Sequence, residues 1–173
     1  MCKIKILNDF VFRLSIKVGK IVEVTKHPDA EALYIEKIDL GEAVPRTIVS
    51  GLVNFVPIEE MKDRMVVVLC NLKPAKLKGI ESFGMVLCAS RDDPKEVEPL
   101  SPPEGSNVGD KCFIEGFESG QPDDQLNPKK KVWEKLAEGF KTSNDCKAQW
   151  EGNNLMTSKG VVTCKKVSNA PVK

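Results

Sequence analysis

Lys73-Pro74-Ala75-Lys76-Leu77-Lys78-Gly79 carries three lysines and no acid, and it is the clearest basic cluster in the chain. Ammonium groups gathered this way meet phosphates as mobile point charges and release counterions when they do. A solvated, lysine-rich turn explains the same composition. Lys26-His27-Pro28-Asp29-Ala30-Glu31 is a second constellation. His27 can hydrogen-bond a phosphate or stack on a base, and Asp29 can accept from a base edge or orient His27. A Pro-Asp turn with a capping carboxylate accounts for those residues equally well. Lys129, Lys130 and Lys131 form a third group, and Lys20 and Lys26 are further candidates for phosphate contact.

Catalytic chemistry has little to stand on. His27 is the one histidine of the chain, and no Gly-rich phosphate loop, nucleophile elbow or paired metal ligands accompany it. No catalytic residue, metal site or cofactor is assigned. Carboxylate pairs such as Glu59 and Glu60 read as solvated helix surface. The six cysteines, Cys2, Cys70, Cys88, Cys112, Cys146 and Cys164, never fall within four positions of one another. That spacing excludes the close pairs of zinc ribbons and redox motifs, and most of these thiols sit in apolar runs as small, reduced core residues. His-Pro-Asp is also the tripeptide of co-chaperone J-domains. There it joins two helices, and here it joins two β-patterned segments, which removes that reading.

The loops hang on a chain of 173 residues, 41% of them hydrophobic, enough to bury a substantial core. Short β-patterned segments fill its first two-thirds. Ile16 to Thr25 alternates apolar and polar positions, with Gly19 where a barrel strand would bend. Leu33 to Leu40 follows, with Leu33, Ile35 and Ile38 expected on its inner face, and then Thr47 to Val49. Pro57 to Arg64 is a short helix with Glu59 and Glu60 in its first turn. Met65 to Leu72 is a continuous apolar run, as in a strand buried on both sides. Gly84 to Ala89 is the fifth strand. Five strands, with a helix between the third and fourth, predict an OB-fold, whose ligand face lies near the loops after strands one and four. Both lysine-bearing loops fall there; for Lys73 to Gly79 the position favours contact over a bare turn, while for Lys26 to Glu31 the two readings stand level.

Residues 1–14 are read as an N-terminal tail, 15–90 as the barrel and 91–173 as a C-terminal extension. Arg91 to Gly109 has no periodicity and serves as the connection. Lys111 to Phe117 is a strand, 128–140 a helix, and short strands follow near Ala148–Trp150, Asn154–Thr157 and Val161–Cys164. Asn127 caps the helix, Pro128 opens it, and Val132, Trp133, Leu136, Ala137 and Phe140 make an apolar stripe that must dock on the barrel. Lys129 to Lys131 occupy its first turn, where the dipole disfavours cations, so a phosphate or simple solubility retains them.

The formal charge is +1, from 26 Lys and Arg against 25 Asp and Glu, so a polyanion site must arise by local clustering. Aromatic residues are 6% of the chain, too few for binding by extensive base stacking. Lys3, Lys5, Asp9 and Arg13 interrupt the first apolar residues, and no apolar run approaches a membrane span, so a soluble, intracellular protein is expected.

Val18-Gly19-Lys20-Ile21, Lys26-His27-Pro28-Asp29-Ala30, Leu33-Tyr34, Pro45-Arg46-Thr47-Ile48-Val49-Ser50-Gly51-Leu52-Val53, Val68-Leu69-Cys70-Asn71-Leu72-Lys73-Pro74 and Gly84-Met85-Val86-Leu87-Cys88-Ala89-Ser90 together resemble the tRNA-binding domain of the endothelial monocyte-activating polypeptide II-like family. Gly120-Gln121-Pro122-Asp123, Leu126-Asn127-Pro128-Lys129-Lys130-Lys131 and Trp133-Glu134 continue the likeness, which runs from about Leu14 onward. Such domains are appended to the C-terminus of eukaryotic tyrosyl- or methionyl-tRNA synthetases or belong to their cofactor proteins.

The resemblance implies an all-β-dominated fold, a five-stranded OB barrel with a mixed α/β extension packed on it. It implies a cytoplasmic module that binds tRNA with little sequence preference and supports a synthetase in cis or in trans, without catalysis and away from membranes. Bacterial relatives dimerise, and the extension resembles one that fills that interface within a single chain, so a monomer is expected. Carried over residue by residue, the tRNA contacts are His27, Asp29, Lys73, Lys76, Lys78, Ser82 and Met85. Phe83 stands in the Ser-x-Gly-Met turn where many relatives have Gln. Some relatives act as secreted cytokines after proteolysis, through a basic segment near the start of strand one that Lys17 to Val22 matches in part, and secretion by a non-classical route would accompany such a role here. A cytokine-like or protein-interaction module released from a synthetase is the alternative reading.

Overall fold

β1 (Ile16–Lys26) is an 11-residue strand that needs two partners along its length. The structure, a computed structural model, describes residues 11–173; residues 1–10 of the expected tail, with Cys2, lie outside the described residues. The second half of β1 pairs antiparallel with β2 (Tyr34–Asp39), and β2 with β3 (Arg46–Ser50). A short helix, α1 (Ile58–Met61), opens after Pro57 with Glu59 and Glu60 in its first turn. It leads to β4 (Met65–Leu69), which pairs with the first half of β1, Ile16 facing Leu69. Gly19 sits where β1 passes from one partner to the other. A Cβ there would lie 2.7 Å from Ile38 Cγ2 and 2.9 Å from Leu40 Cδ2, so only glycine lets the strands cross this closely.

The inner face of β2 is Tyr34, Glu36 and Ile38, each buried, not the expected Leu33 and Ile35. The expected phase is displaced by one residue because a glutamate occupies an inward position, and a slip of one reverses every side chain of a strand. The Tyr34 hydroxyl donates to Val56 O at 2.7 Å, which makes the inward tyrosine tolerable.

After β4 the chain forms a hairpin, β5 (Ala75–Leu77) and β6 (Ile80–Ser82), in place of the expected loop. The expected fifth strand divides into β7 (Met85–Val86), paired with β4, and β8 (Cys88–Asp92), paired with β9 (Lys95–Pro99). The β9 segment falls within the expected irregular connection because its residues are mostly charged. Glu98 is nevertheless buried, its carboxylate accepting the amides of Lys165, Lys166 (3.0 Å) and Val167 (3.1 Å).

Next, β10 (Lys111–Ile114) joins β1 to the extension. The expected helix over 128–140 is broken: a 3-10 turn at Pro128–Lys130, then Lys131 at φ 50, then α2 (Val132–Ala137). Asn127 does cap, its side chain accepting the Lys129 amide at 3.0 Å. The helix stops at Gly139, where a Cβ would lie 2.8 Å from Trp150 Nε1, and that indole donates to Leu136 O at 3.1 Å. β11 (Phe140–Thr142), β12 (Ala148–Trp150), β13 (Asn153–Thr157) and β14 (Gly160–Val161) finish the chain, with β13 on β10.

The fold is dominated by β-structure in open sheets. Among the described residues no backbone ladder joins β3 to β7; Phe83 N–H to Thr47 O (2.9 Å), the Val49 amide to the Ser82 hydroxyl and Arg46 to Phe83 O bridge that gap instead. Two cores lie on the two sides of β4. Val66, Val68 and Cys70 face inward with Ile21, Tyr34 and Ile48, while Val67 and Leu69 face outward with Leu136, Phe140 and Trp150. The β7–β8 segment alternates likewise: Val86 and Cys88 inward, Leu87 and Ala89 outward. The apolar runs therefore read correctly as walls buried on both sides, and the extension docks through the outer core. Each large side chain so buried contributes about 1.5–3 kcal/mol.

Candidate nucleic-acid interface

Leu77 faces Ile80 across the β5–β6 hairpin, leaving Lys78 and Gly79 as its two-residue turn, with φ of 50 and 85. Two successive left-handed residues make the type I′ turn that suits the twist of paired strands, and Gly79 adopts it without a Cβ penalty. Lys78 is thereby held exposed at the tip. Lys76 pairs with Glu81, so a cluster without acid in the sequence acquires a carboxylate opposite its middle lysine. At the base of the hairpin Ser82 is buried, its hydroxyl accepting the Val49 amide at 3.0 Å and donating to Gly84 O at 3.0 Å. Met85 is half-buried opposite Leu69.

Because Phe83 bonds Thr47 and Ser82 bonds Val49, the hairpin climbs the edge of β3 toward Ser50. Ser50 lies opposite Tyr34, at the mouth of the β1–β2 turn, so Lys78 and that turn share one rim. Lys26 and Asp29 are exposed there. His27 is only 5% exposed; its amide donates to Leu33 O at 2.9 Å and its Nδ1 accepts the Asp29 amide at 3.0 Å. Nε2 is buried, with no partner among the described residues. The imidazole thus braces its own turn through Nδ1.

The remaining lysines separate. Lys73 lines a cleft of about 210 Å³ with Asn127, Pro128 and Trp133, which sets it beside the turn carrying Lys129, Lys130 and Lys131 rather than at the hairpin tip. Lys20 stands opposite Asp39, at the far end of β2 from Tyr34. It is about 20 Å along β1 from Lys26 at roughly 3.3 Å per residue.

Neither type nor spacing singles out Arg46 in the sequence. Its Nε and Nη2 each donate to Glu42 at 2.7 Å, and Nη1 donates to Cys70 O at 2.6 Å and Phe83 O at 3.0 Å. Hydrogen bonding with Arg46 holds the Glu42 carboxyl below its ordinary value, and the same bond raises Arg46. Arg46 is thus a neutralised strut in the wall of a groove of about 420 Å³, with Thr47, Asn71, Phe83, Asp124 and Gln125. Phe83 lies on its lip, 39% exposed. Asn71 is wholly engaged: Oδ1 accepts the Ser15 amide at 3.0 Å, and Nδ2 donates to Arg13 O (2.8 Å) and Asp123 O (2.9 Å). Among the described residues no group of carboxylates, cysteines and histidine is arranged to hold a metal ion.

Residues 16–111 match the family model described as "Putative tRNA binding domain". Tyrosine–tRNA ligase, cytoplasmic, from Gallus gallus is 56% identical over 92% of this chain and 31% of its own length. Aminoacyl tRNA synthase complex-interacting multifunctional protein 1 from Mus musculus is 49% identical over 93% of this chain and 51% of its own. The chain thus spans about a third of the length of the tyrosine ligase it matches. Among solved structures, the C-terminal domain of Plasmodium vivax p43 superimposes with a TM-score of 0.87 at 35% identity, covering 94% of this chain and 98% of that one. The MetRS related protein from Pyrococcus horikoshii gives 0.57 at 31% identity, over 61% and 94%.

Proposed function

We propose, from the premise that this chain belongs to the tRNA-binding domain family, that it holds tRNA on the rim shared by the β5–β6 hairpin and the β1–β2 turn. It is a binding domain rather than a catalyst. Lys76 and Lys78 meet backbone phosphates at the rim, with Lys26 and Asp29 beside them, while Lys73 and Lys129 to Lys131 carry the contact onto the extension. His27, Ser82 and Met85 shape and anchor these loops. Contacts of this kind read phosphate spacing and shape and not base sequence. The single observation behind this reading is that β6 runs along β3, which supports a common rim for two loops far apart in sequence.

The same proposal includes an OB barrel of residues 15–90, with the β3–β7 gap spanned by Arg46, Ser82 and Phe83. It includes an extension, 91–173, that covers the outer face of β4 and β8 as a second subunit would, giving a monomer. The working setting is cytoplasmic, joined to or bound by an aminoacyl-tRNA synthetase, as the names of the relatives suggest. Lys20 lies off the rim and is assigned no more than a peripheral contact.

Fluorescence anisotropy with labelled tRNA, a single-stranded RNA and a DNA duplex of equal length, over a salt series, tests this. Tighter binding to tRNA that persists near physiological salt is expected. Equal, weak and fully salt-sensitive binding to all three overturns it.

A further inference from the structure

We propose that Cys146 and Cys164 form an intramolecular disulfide site, closed when a peroxide oxidises Cys146 and Cys164 displaces water from it. The pairing rests on backbone register. Cys164 N–H donates to Cys146 O at 2.9 Å, Ala148 N–H donates to Val162 O at 2.9 Å, and Lys147 bridges antiparallel to Thr163. Cys146 therefore stands directly opposite Cys164. The Cys146 amide turns back to Ser143 O, so the two share a single backbone bond. Cα atoms directly opposite one another in an antiparallel pair are about 4.5–5.5 Å apart, within the roughly 4.4–6.8 Å that disulfides span. The side chains meet as well: the buried Cys164 thiol is pushed up to about 12, first by burial and then by its hydrogen bond with Cys146.

Exposure divides the roles. Cys146 is half-buried in a surface turn, at φ 62, and Cys164 is 6% exposed. Cys70 and Cys88 line the inner core, and Cys112 packs on the outer one. The Cys146 thiolate attacks hydrogen peroxide; an S–O bond forms, the O–O bond breaks, and water leaves after taking up a proton. The Cys164 sulfur then attacks the sulfenic sulfur, an S–S bond forms, and the second water departs with the Cys164 proton. Two thiols and one peroxide give one disulfide and two waters. The sheltered partner resolves the sulfenic acid before it is oxidised further. This inference is independent of how tRNA binds.

The full chain is treated with hydrogen peroxide, alkylated without reduction and digested with trypsin. The expected product links peptide 142–147 to peptide 160–165, lighter by two hydrogens than their sum, and disappears on reduction. In Cys146→Ser the linked peptide is lost. In Cys164→Ala, with folding checked by circular dichroism, Cys146 goes on to sulfinic acid. Should that variant not fold, the linked peptide and its loss in Cys146→Ser decide the matter. Absence of the linked peptide, or preferential linkage of Cys146 to another cysteine, overturns the proposal.

Discussion

Ser82 and Val49 are joined by one hydrogen bond of 3.0 Å, from the Val49 amide to the Ser82 hydroxyl, and through it the lysine hairpin hangs on β3. The amide belongs to a residue only 5% exposed. Ser82→Ala leaves it without its partner, a loss of about 1–3 kcal/mol. Urea denaturation should show that loss, with faster hydrogen exchange at Val49. Binding of tRNA should weaken with little change in salt slope, since no charge is removed. An unchanged exchange rate at Val49 would show that β3 holds without this bond.

Glu81 stands opposite Lys76 across the hairpin, where its negative charge opposes the approach of a phosphate. Glu81→Gln should strengthen tRNA binding, and Lys76→Glu should weaken it and lower the salt slope. Every phosphate that a lysine no longer neutralises takes about 0.9 from that slope on duplex. Titration of both variants at two salt concentrations checks the pair, and weaker binding by Glu81→Gln would mean that Lys76 needs its partner more than its freedom.

How far the sequence foretells this arrangement depends on what each signal encodes. Met65 to Leu72 reads as an apolar run of strand length, the signature of a strand buried on both sides or of a barrel wall, and the two cores cover both faces of Met65–Leu69. Asn127 and Pro128 mark a helical start correctly, but periodicity cannot show Lys131 entering the left-handed region and splitting the helix. The β9 strand is illegible because Glu98 is inward for a reason lying in residues 165–167. The lysines are visible by type. Their grouping is not, since whether Lys73 faces the hairpin tip or the Asn127 turn is decided by tertiary packing.

Glu36 makes stability depend on pH. Burial among apolar residues pushes its carboxyl up to about 8 from 4.5, only partly opposed by the Ser50 hydroxyl, which donates to Oε1. The raised folded value means that the unfolded chain releases this proton from about pH 4.5 upward while the folded chain keeps it to about 8. Stability should therefore fall as pH rises through that window and level off above it. By pH 7 the loss is roughly 3 kcal/mol, at about 1.4 kcal/mol per unit. Glu36→Gln should remove this slope and be the more stable protein at pH 7. Coincident stability–pH profiles for the two proteins would sink the assignment.

Lys78 and Gly79 separate charge from geometry at the hairpin tip. Lys78→Asn keeps the turn, because asparagine accepts the left-handed conformation and Asn-Gly favours type I′, but it removes one ammonium. Its expected signature is unchanged or slightly higher stability, weaker tRNA binding and a salt slope lower by about 0.9. Gly79→Ala keeps every charge and has nothing within 4 Å of the added Cβ, so its cost comes from φ +85 alone. That cost is about 1–2 kcal/mol, and binding should weaken through misplaced lysines with the slope preserved. Melting curves and salt-dependent anisotropy on both variants distinguish them. If both lower the slope equally, Lys78 works by holding the turn and not by meeting a phosphate.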